Sequence, residues 1–199
     1  MSVRTPEDDQ RRILLWVLVL NAALFVGLGV AGWLADSSAL LANAADNASD
    51  SAVYLISFLA VGRAPAWKTG AARLSGVLLL LFAAGVLADV VRRWLTGAEP
   101  LGPAMMTMAL VAAAVNLWCL LLLRKVKTDD VNMRAAETFS LNDAIANGGI
   151  LVAGALVLWL GRAWPDLVVG ALVAVVAIKG GLEILRDAAR TDDNQEAIR

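Results

Sequence analysis

Apolar residues recur along the chain in six runs, at roughly 13–34, 38–61, 71–94, 104–123, 133–160 and 166–185, with short polar or turn-forming connectors between them. Each run holds about 20 residues or more, the length an α-helix rising ~1.5 Å per residue needs to cross a ~30 Å hydrocarbon layer. The pattern predicts six transmembrane helices and an all-α fold, a polytopic six-helix bundle. Arg63-Ala64-Pro65 and Glu99-Pro100-Leu101-Gly102-Pro103 supply turn chemistry between runs. A charged segment, 1–12, precedes the membrane part, 13–190, and a short polar tail, 191–199, follows it. The first run, Ile13 to Trp33, is long for a signal-peptide core and lacks a cleavage site, so it reads as a retained helix. The runs are rich in Ala and Gly, which let helix backbones approach closely in lipid.

Composition agrees with the pattern. Of 199 residues 59% are hydrophobic and 18% charged, and the mean hydropathy is +0.69; a soluble domain is closer to half apolar and a quarter charged. With six spans both termini share one side. That side carries Arg4, Arg11, Arg12, Arg63, Lys68, Arg73, Arg124, Lys125, Lys127, Arg134, Arg186, Arg190 and Arg199, against Arg92, Arg93 and Arg162 opposite. The imbalance predicts cytoplasmic termini and a multi-pass protein of the plasma (inner) membrane. Trp16, Trp33, Trp94, Trp159 and Trp164 fall near span ends, as an interfacial belt requires, whereas Trp118 lies within a span and is expected to pack inside. No basic patch with interleaved aromatics is present, which sets nucleic-acid binding aside. The chain has no histidine, which removes Ser-His and Cys-His catalysis and every imidazole metal ligand. The single cysteine, Cys119, is expected to be a small buried apolar side chain.

Against this background the polar residues inside the spans stand out. In the second run Asn43, Asp46, Asn47, Asp50, Tyr54 and Ser57 recur at three- and four-residue steps and form one stripe on a helix. In the fifth, Glu137, Ser140, Asp143 and Asn147 share a face. Asp46 lies about 12 Å along its helix from Ser38, and Asp143 about 13 Å from Arg134, at ~1.5 Å per residue. The two runs enter from opposite sides, so the three aspartates reach a similar depth. An aspartate at mid-bilayer costs at least ~2.5–3.5 kcal/mol on insertion scales. A hydrogen-bonding cluster that merely joins helices is the alternative, but Asn or Ser would serve that purpose at lower cost. An ion or proton site is the expectation. Of the remaining polar residues, Asp89 is expected to pair with Arg92 or Arg93. Lys179 and Glu183 form an internal pair or lie near the cytoplasmic surface. Asn21 and Asn116 are read as interhelical hydrogen-bond donors.

Ser38-Ala-Leu-Leu-Ala-Asn43-Ala-Ala-Asp46-Asn47-Ala-Ser49-Asp50 resembles the second membrane helix of the cation diffusion facilitator family of metal–proton antiporters. Asn142-Asp143-Ala144-Ile145-Ala146-Asn147-Gly148-Gly149 resembles its fifth. The resemblance extends over roughly residues 13–190, with Asn116 and Pro165-Asp166 in similar contexts. It implies that Asp46, Asp50 and Asp143 ligate a transported divalent cation, with no tightly bound cofactor and no enzymatic activity. The family usually places a ligand four residues before the fifth-helix aspartate, and Phe139 stands there. Asn147, Ser140, Asn142, Asn43 or water is left as a fourth donor, or none. Many members carry a soluble C-terminal domain; this chain ends before one, so a homodimer is expected to form through membrane helices. The resemblance implies export from the cytoplasm driven by inward protons. An all-oxygen donor set suits a harder ion such as manganese, whereas family habit favours zinc. The alternatives are a transport-inactive membrane scaffold on the same fold and a carrier of some other small solute.

Overall fold

The computed structural model describes residues 6–60, 65–125 and 131–196. Six helices follow in chain order: α1 Pro6–Leu34, α2 Ser38–Ala60, α3 Pro65–Thr96, α4 Gly102–Leu123, α5 Val131–Leu160 and α6 Trp164–Glu196. Each apolar run of the sequence has become one helix. Proline stands in the first turn of α3, α4 and α6, where its fixed φ suits the helix and its missing N–H would have had no partner. The helices outrun the apolar runs at several ends. Most extended is α6, which continues past 185 through Arg186-Asp187-Ala188-Ala189-Arg190. Its alanines and arginines are good helix formers, and Asp187 and Arg190 approach to 3.9 Å one turn apart. The apolar run marks the lipid layer, whereas helix propensity sets where the helix stops.

Among the described residues, three stretches are long and apolar enough on their own to cross a membrane: Arg11–Leu34, Gly102–Leu123 and Trp164–Arg190. α2 falls short because its polar stripe dilutes its hydropathy. Large apolar side chains such as Val26, Leu81, Leu158 and Val175 face outward, an arrangement suited to lipid. Trp33, Trp94 and Trp159 are exposed near helix ends, as the belt requires. Trp118 departs from expectation. It is 61% exposed and lies on the outer face of α4, because the inward face of that helix is taken by Ala112, Asn116 and Cys119.

Two packing groups share one helix. α1 packs on α2, α4 on α5 and α1 on α4, while α3 pairs with α6 and that pair leans on α2. The first group is sealed by Leu24, Leu28, Leu40, Met105 and Ile150, and the second by Leu79, Ala83 and Ala177. Ala42 and Ala45 of α2 join Val86 and Ala174 across the divide. α2 therefore has neighbours on every side, and its stripe of polar groups can be shared between both groups.

The N-terminal end of α2 is fixed by charges. Asp166 of α6 is fully buried and caps the first turn of α2: Ser37 Oγ (2.5 Å), Ser38 N (2.7 Å) and Ala39 N (3.1 Å) all donate to its carboxylate. Asp89 accepts from Arg92, Arg93 and the Ser38 hydroxyl, and Arg93 reaches on to Asp36. Asp36 occupies the left-handed region at φ 52° in the α1–α2 turn, a conformation Asp tolerates, and its other oxygen accepts the Glu99 N–H at 2.9 Å. The expected Asp89–arginine pairing is thus present, as one part of a clasp joining α2, α3 and α6.

Close backbone approach holds α6 to α2. A Cβ built on Gly170 would stand 2.8 Å from the Ser38 carbonyl carbon and 3.0 Å from Ala39 N. Backbone cannot yield as a side-chain tip can. Gly170→Val is expected to destabilise the folded protein by about 1–3 kcal/mol through overpacking, read as a lower midpoint in denaturant or thermal unfolding. Gly85→Ala, where nothing lies within 4 Å, serves as the control and should leave the midpoint unchanged or slightly raised.

Candidate ion-binding site

α2 and α5 run in opposite directions, so a residue in the middle of one faces the middle of the other. Their polar stripes meet. Asn43, Asn47 and Asn147 are at most 1% exposed, and Asp50 and Asp143 are each 5% exposed. An amide chain links the helices: Asn47 Nδ2 donates to Asn43 O (2.9 Å) and Oδ1 (3.3 Å), Asn43 Nδ2 donates to Asn147 Oδ1 (2.7 Å), and Asn147 Nδ2 donates back to Asp143 O (2.8 Å). The Asp143 carboxyl lies within hydrogen-bonding reach of both Asp46 and Asp50. Two carboxyls in contact need a proton or a cation between them. Asp50 Oδ2 is buried with no partner among the described residues, which leaves a lone pair available to an added ligand.

The three aspartates line one cavity of about 480 Å³ bounded by α2, α3, α5 and α6. Asp46 is only half-buried because it borders this space. Ser49, one residue before Asp50, adds a hydroxyl to the wall. From the acids the cavity extends along α6 past Gly180 to Lys179, Glu183 and Asp187, toward the end of the helix that carries Arg186 and Arg190. Among the described residues no group of three or more His, Cys, Asp or Glu is arranged so that it could hold a metal ion as it stands. The acid contacts run from Asp143 to each of the other two, so a shared ion requires those carboxyls to part and re-form around it.

At the mouth, the Lys179 ammonium is 3.9 Å from Glu183, with both side chains largely exposed. An exposed pair of this kind is weak. Were a cation to enter here, the lysine would act as a tethered positive charge beside its path. Lys179→Ala is expected to raise the apparent affinity or capture rate for a divalent cation by about two- to fivefold at low salt. The gain should vanish near ~0.5 M salt, where the Debye length falls below ~5 Å. A titration at two ionic strengths checks this.

Of the residues proposed from sequence as metal ligands, the structure brings Asp46, Asp50 and Asp143 to the cavity and Asn43 and Asn147 into the amide chain behind it. The side chains of Ser57, Glu137, Phe139, Ser140 and Asn142 lie outside the described residues. Sequence reasoning missed Ser49, Asp187 and the capping role of Asp166. It anticipated the Lys179–Glu183 pair but not its place at the cavity mouth. Cys119 is buried in an apolar cluster, as expected. Asn21 donates to its own helix at Val17 O (2.9 Å) and makes a long contact, 3.9 Å, to Cys119 Sγ across to α4. The interhelical bond expected of Asn116 is not formed: neither of its amide atoms has a partner among the described residues.

A bundle of apolar helices that gathers three carboxyls from opposed helices around an internal cavity defines an integral membrane protein with a buried acidic site. Comparison with known proteins narrows this class. The cation efflux transmembrane domain matches residues 14–191, and the chain belongs to that family. It is 27% identical to the zinc transporter ZitB of Yersinia pestis, over 94% of this chain and 65% of that relative. It is also 27% identical to zinc transporter ZitB of Escherichia coli strain K12, over 94% of this chain and 64% of the relative. A cadmium, cobalt and zinc/H(+)-K(+) antiporter of Bacillus velezensis is 26% identical, over 90% of this chain and 62% of its own length. The chain spans slightly under two thirds of the length of the relatives it matches.

Proposed function

We propose that this protein moves a divalent transition-metal cation across the membrane in exchange for protons, and that Asp46, Asp50 and Asp143 are the groups that hold both. The observation that carries the reading is the contact of Asp143 on α5 with both acids of α2 inside one cavity. Carboxyls that touch in a site away from bulk water share protons. A divalent cation offsets their repulsion better than protons do and displaces them. Protons returning from the far side reverse the exchange and release the metal. Asn43 and Asn147 orient the acids through the amide chain and stand nearest as neutral donors. The all-oxygen donor set admits manganese, and the relatives named for zinc, cadmium and cobalt favour a transition metal, with zinc foremost.

On this reading the excess of basic residues at the chain ends favours the cytoplasmic side of a plasma (inner) membrane for the cavity mouth at Lys179, Glu183 and Asp187. Export is then the direction of flux. Alternating exposure of the site arises from movement of the α3–α6 pair against the group containing α1, α4 and α5, with α2 at the boundary. A homodimer would form through the membrane helices. The test is flux in proteoliposomes loaded with a pH dye. The expected result is proton movement triggered by zinc or manganese and lost in Asp50→Asn. A protein that assembles normally, binds no divalent ion and moves no protons would instead be a scaffold on this fold.

A further inference from the structure

Five buried side-chain atoms have no hydrogen-bond partner among the described residues: Asn21 Oδ1, Asn47 Oδ1, Asp50 Oδ2, and both Oδ1 and Nδ2 of Asn116. They come from three helices, α1, α2 and α4, and the four residues are each at most 5% exposed. One apolar cluster places them together. Val17, Tyr54 and Cys119 pack in a single core with Leu14 and Leu123. Asn21 stands one turn from Val17, Asp50 one turn from Tyr54, and Asn116 one turn from Cys119, each on the same face of its helix. Asn47 lies a further turn along α2. Asn21 Nδ2 is 3.9 Å from Cys119 Sγ, and the Asp50 carboxyl is within electrostatic range of that sulfur. A polar layer is therefore stacked directly on the apolar one, in the seam of α1, α2 and α4.

Leaving a buried amide without any partner forfeits its full hydration. A neutral asparagine with both ends unanswered signals a small polar ligand that completes it. The unanswered set contains four acceptors and one donor. Water donates and accepts, and so satisfies both kinds. A cation would serve the oxygens alone and oppose the amide NH₂.

We infer that α1, α2 and α4 enclose a bound-water site in which Asn21, Asn47 and Asn116 hold water against the second carboxyl oxygen of Asp50. This deepens the ion-exchange reading and rests on it in one respect: the site then has two approaches. The cation reaches the acids through the cavity beside α3 and α6, and water reaches Asp50 from the opposite side, toward α1 and α4. When the ion leaves, the water solvates the vacated carboxyl without passage through the cation's route. Asn116 and Asn21 act as positioning residues for that water.

Hydroxyl-radical labelling by X-ray radiolysis, read by mass spectrometry on the intact protein in nanodiscs, tests the proposal. Radicals arise from water in place, so a buried sulfur beside bound water is oxidised while a dry one is spared. Cys119, the only cysteine, is the reporter. Met105, equally buried within the dry cluster of α1, α2, α4 and α5, is the internal control. Cys119 is expected to label at least tenfold faster than Met105, after correction for the intrinsic reactivity of the two sulfurs. In Asn116→Leu its rate should fall at least fivefold while that of Met105 stays constant. Equal rates for the two sulfurs in the unaltered protein overturn the proposal, as does a Cys119 rate indifferent to Asn116→Leu. Should that variant fail to fold, the ratio in the unaltered protein decides alone. No metal is needed, so a dry seam leaves the ion site standing. Conversely, a labelled Cys119 in a protein that binds no divalent ion sinks the ion-exchange reading and keeps the water.

Discussion

Asp143→Asn will weaken divalent-cation binding at least ~100-fold, a loss of about 2.7 kcal/mol or more, without lowering the stability of the fold. The substitution keeps the shape of the side chain and removes one negative charge from a site that has no imidazole or thiolate to compensate. Asp143 is the acid that touches both others, so its loss divides the site rather than trimming its edge. Stability moves the other way because an acid surrounded by acids costs energy in the absence of a cation. A neutral amide at that position relieves the repulsion and still offers an N–H to Asp46 or Asp50. Calorimetric titration with zinc and manganese, paired with thermal unfolding in the same detergent, measures both effects. A cluster that existed only to join α2 to α5 would have no metal affinity to lose.

Asp166→Ala should give the opposite profile. The carboxylate accepts three hydrogen bonds at the start of α2, and it places a negative charge at a helix N-terminus, where the backbone dipole favours it. Bonds to a charged acceptor contribute about 1.5–3 kcal/mol each. Some of the freed donors regain water near the membrane surface. The expected net loss is therefore about 2–4 kcal/mol, read from unfolding titrations. Metal affinity of the protein that remains folded should change less than about threefold, because Asp46 lies some 12 Å farther along α2 at ~1.5 Å per residue. An Asp166→Ala protein of unchanged stability would show that the clasp is ornamental; one that is stable but blind to metal would place Asp166 in the ion site.

The two profiles also mark what could be read from the chain and what could not. The six helices were legible because lipid imposes a length: each apolar run had to be a helix, and the orientation of α2 against α5 followed from counting. The stripe Asn43, Asp46, Asn47, Asp50, Tyr54 was legible because polar side chains at mid-bilayer depth are costly and keep helical spacing. Asp166 was not, since its partners are 127–129 residues away and a single acid near a helix start looks like an ordinary first-turn charge. Lys179, Glu183 and Asp187 were visible as polar residues, but their membership of the cavity depends on α6 packing against α2, which no local pattern specifies. Trp118 failed for the same reason: its depth is set by sequence and its azimuth by packing. Asn116 failed more instructively. An asparagine inside a membrane helix suggests a protein partner, and among the described residues neither end of this one has any.

Ion exchange at this site requires acids from two opposed helices to close on one ion. The most direct measurement is anomalous diffraction from crystals of the unaltered protein grown with zinc or manganese. One strong peak is expected in the cavity, within about 2.0–2.3 Å of carboxylate oxygens from α2 (Asp46 or Asp50) and from α5 (Asp143), the range for such metal–oxygen bonds. A peak held by residues outside this trio, or a protein saturated with metal whose Asp143 carboxyl touches no ion, would contradict it.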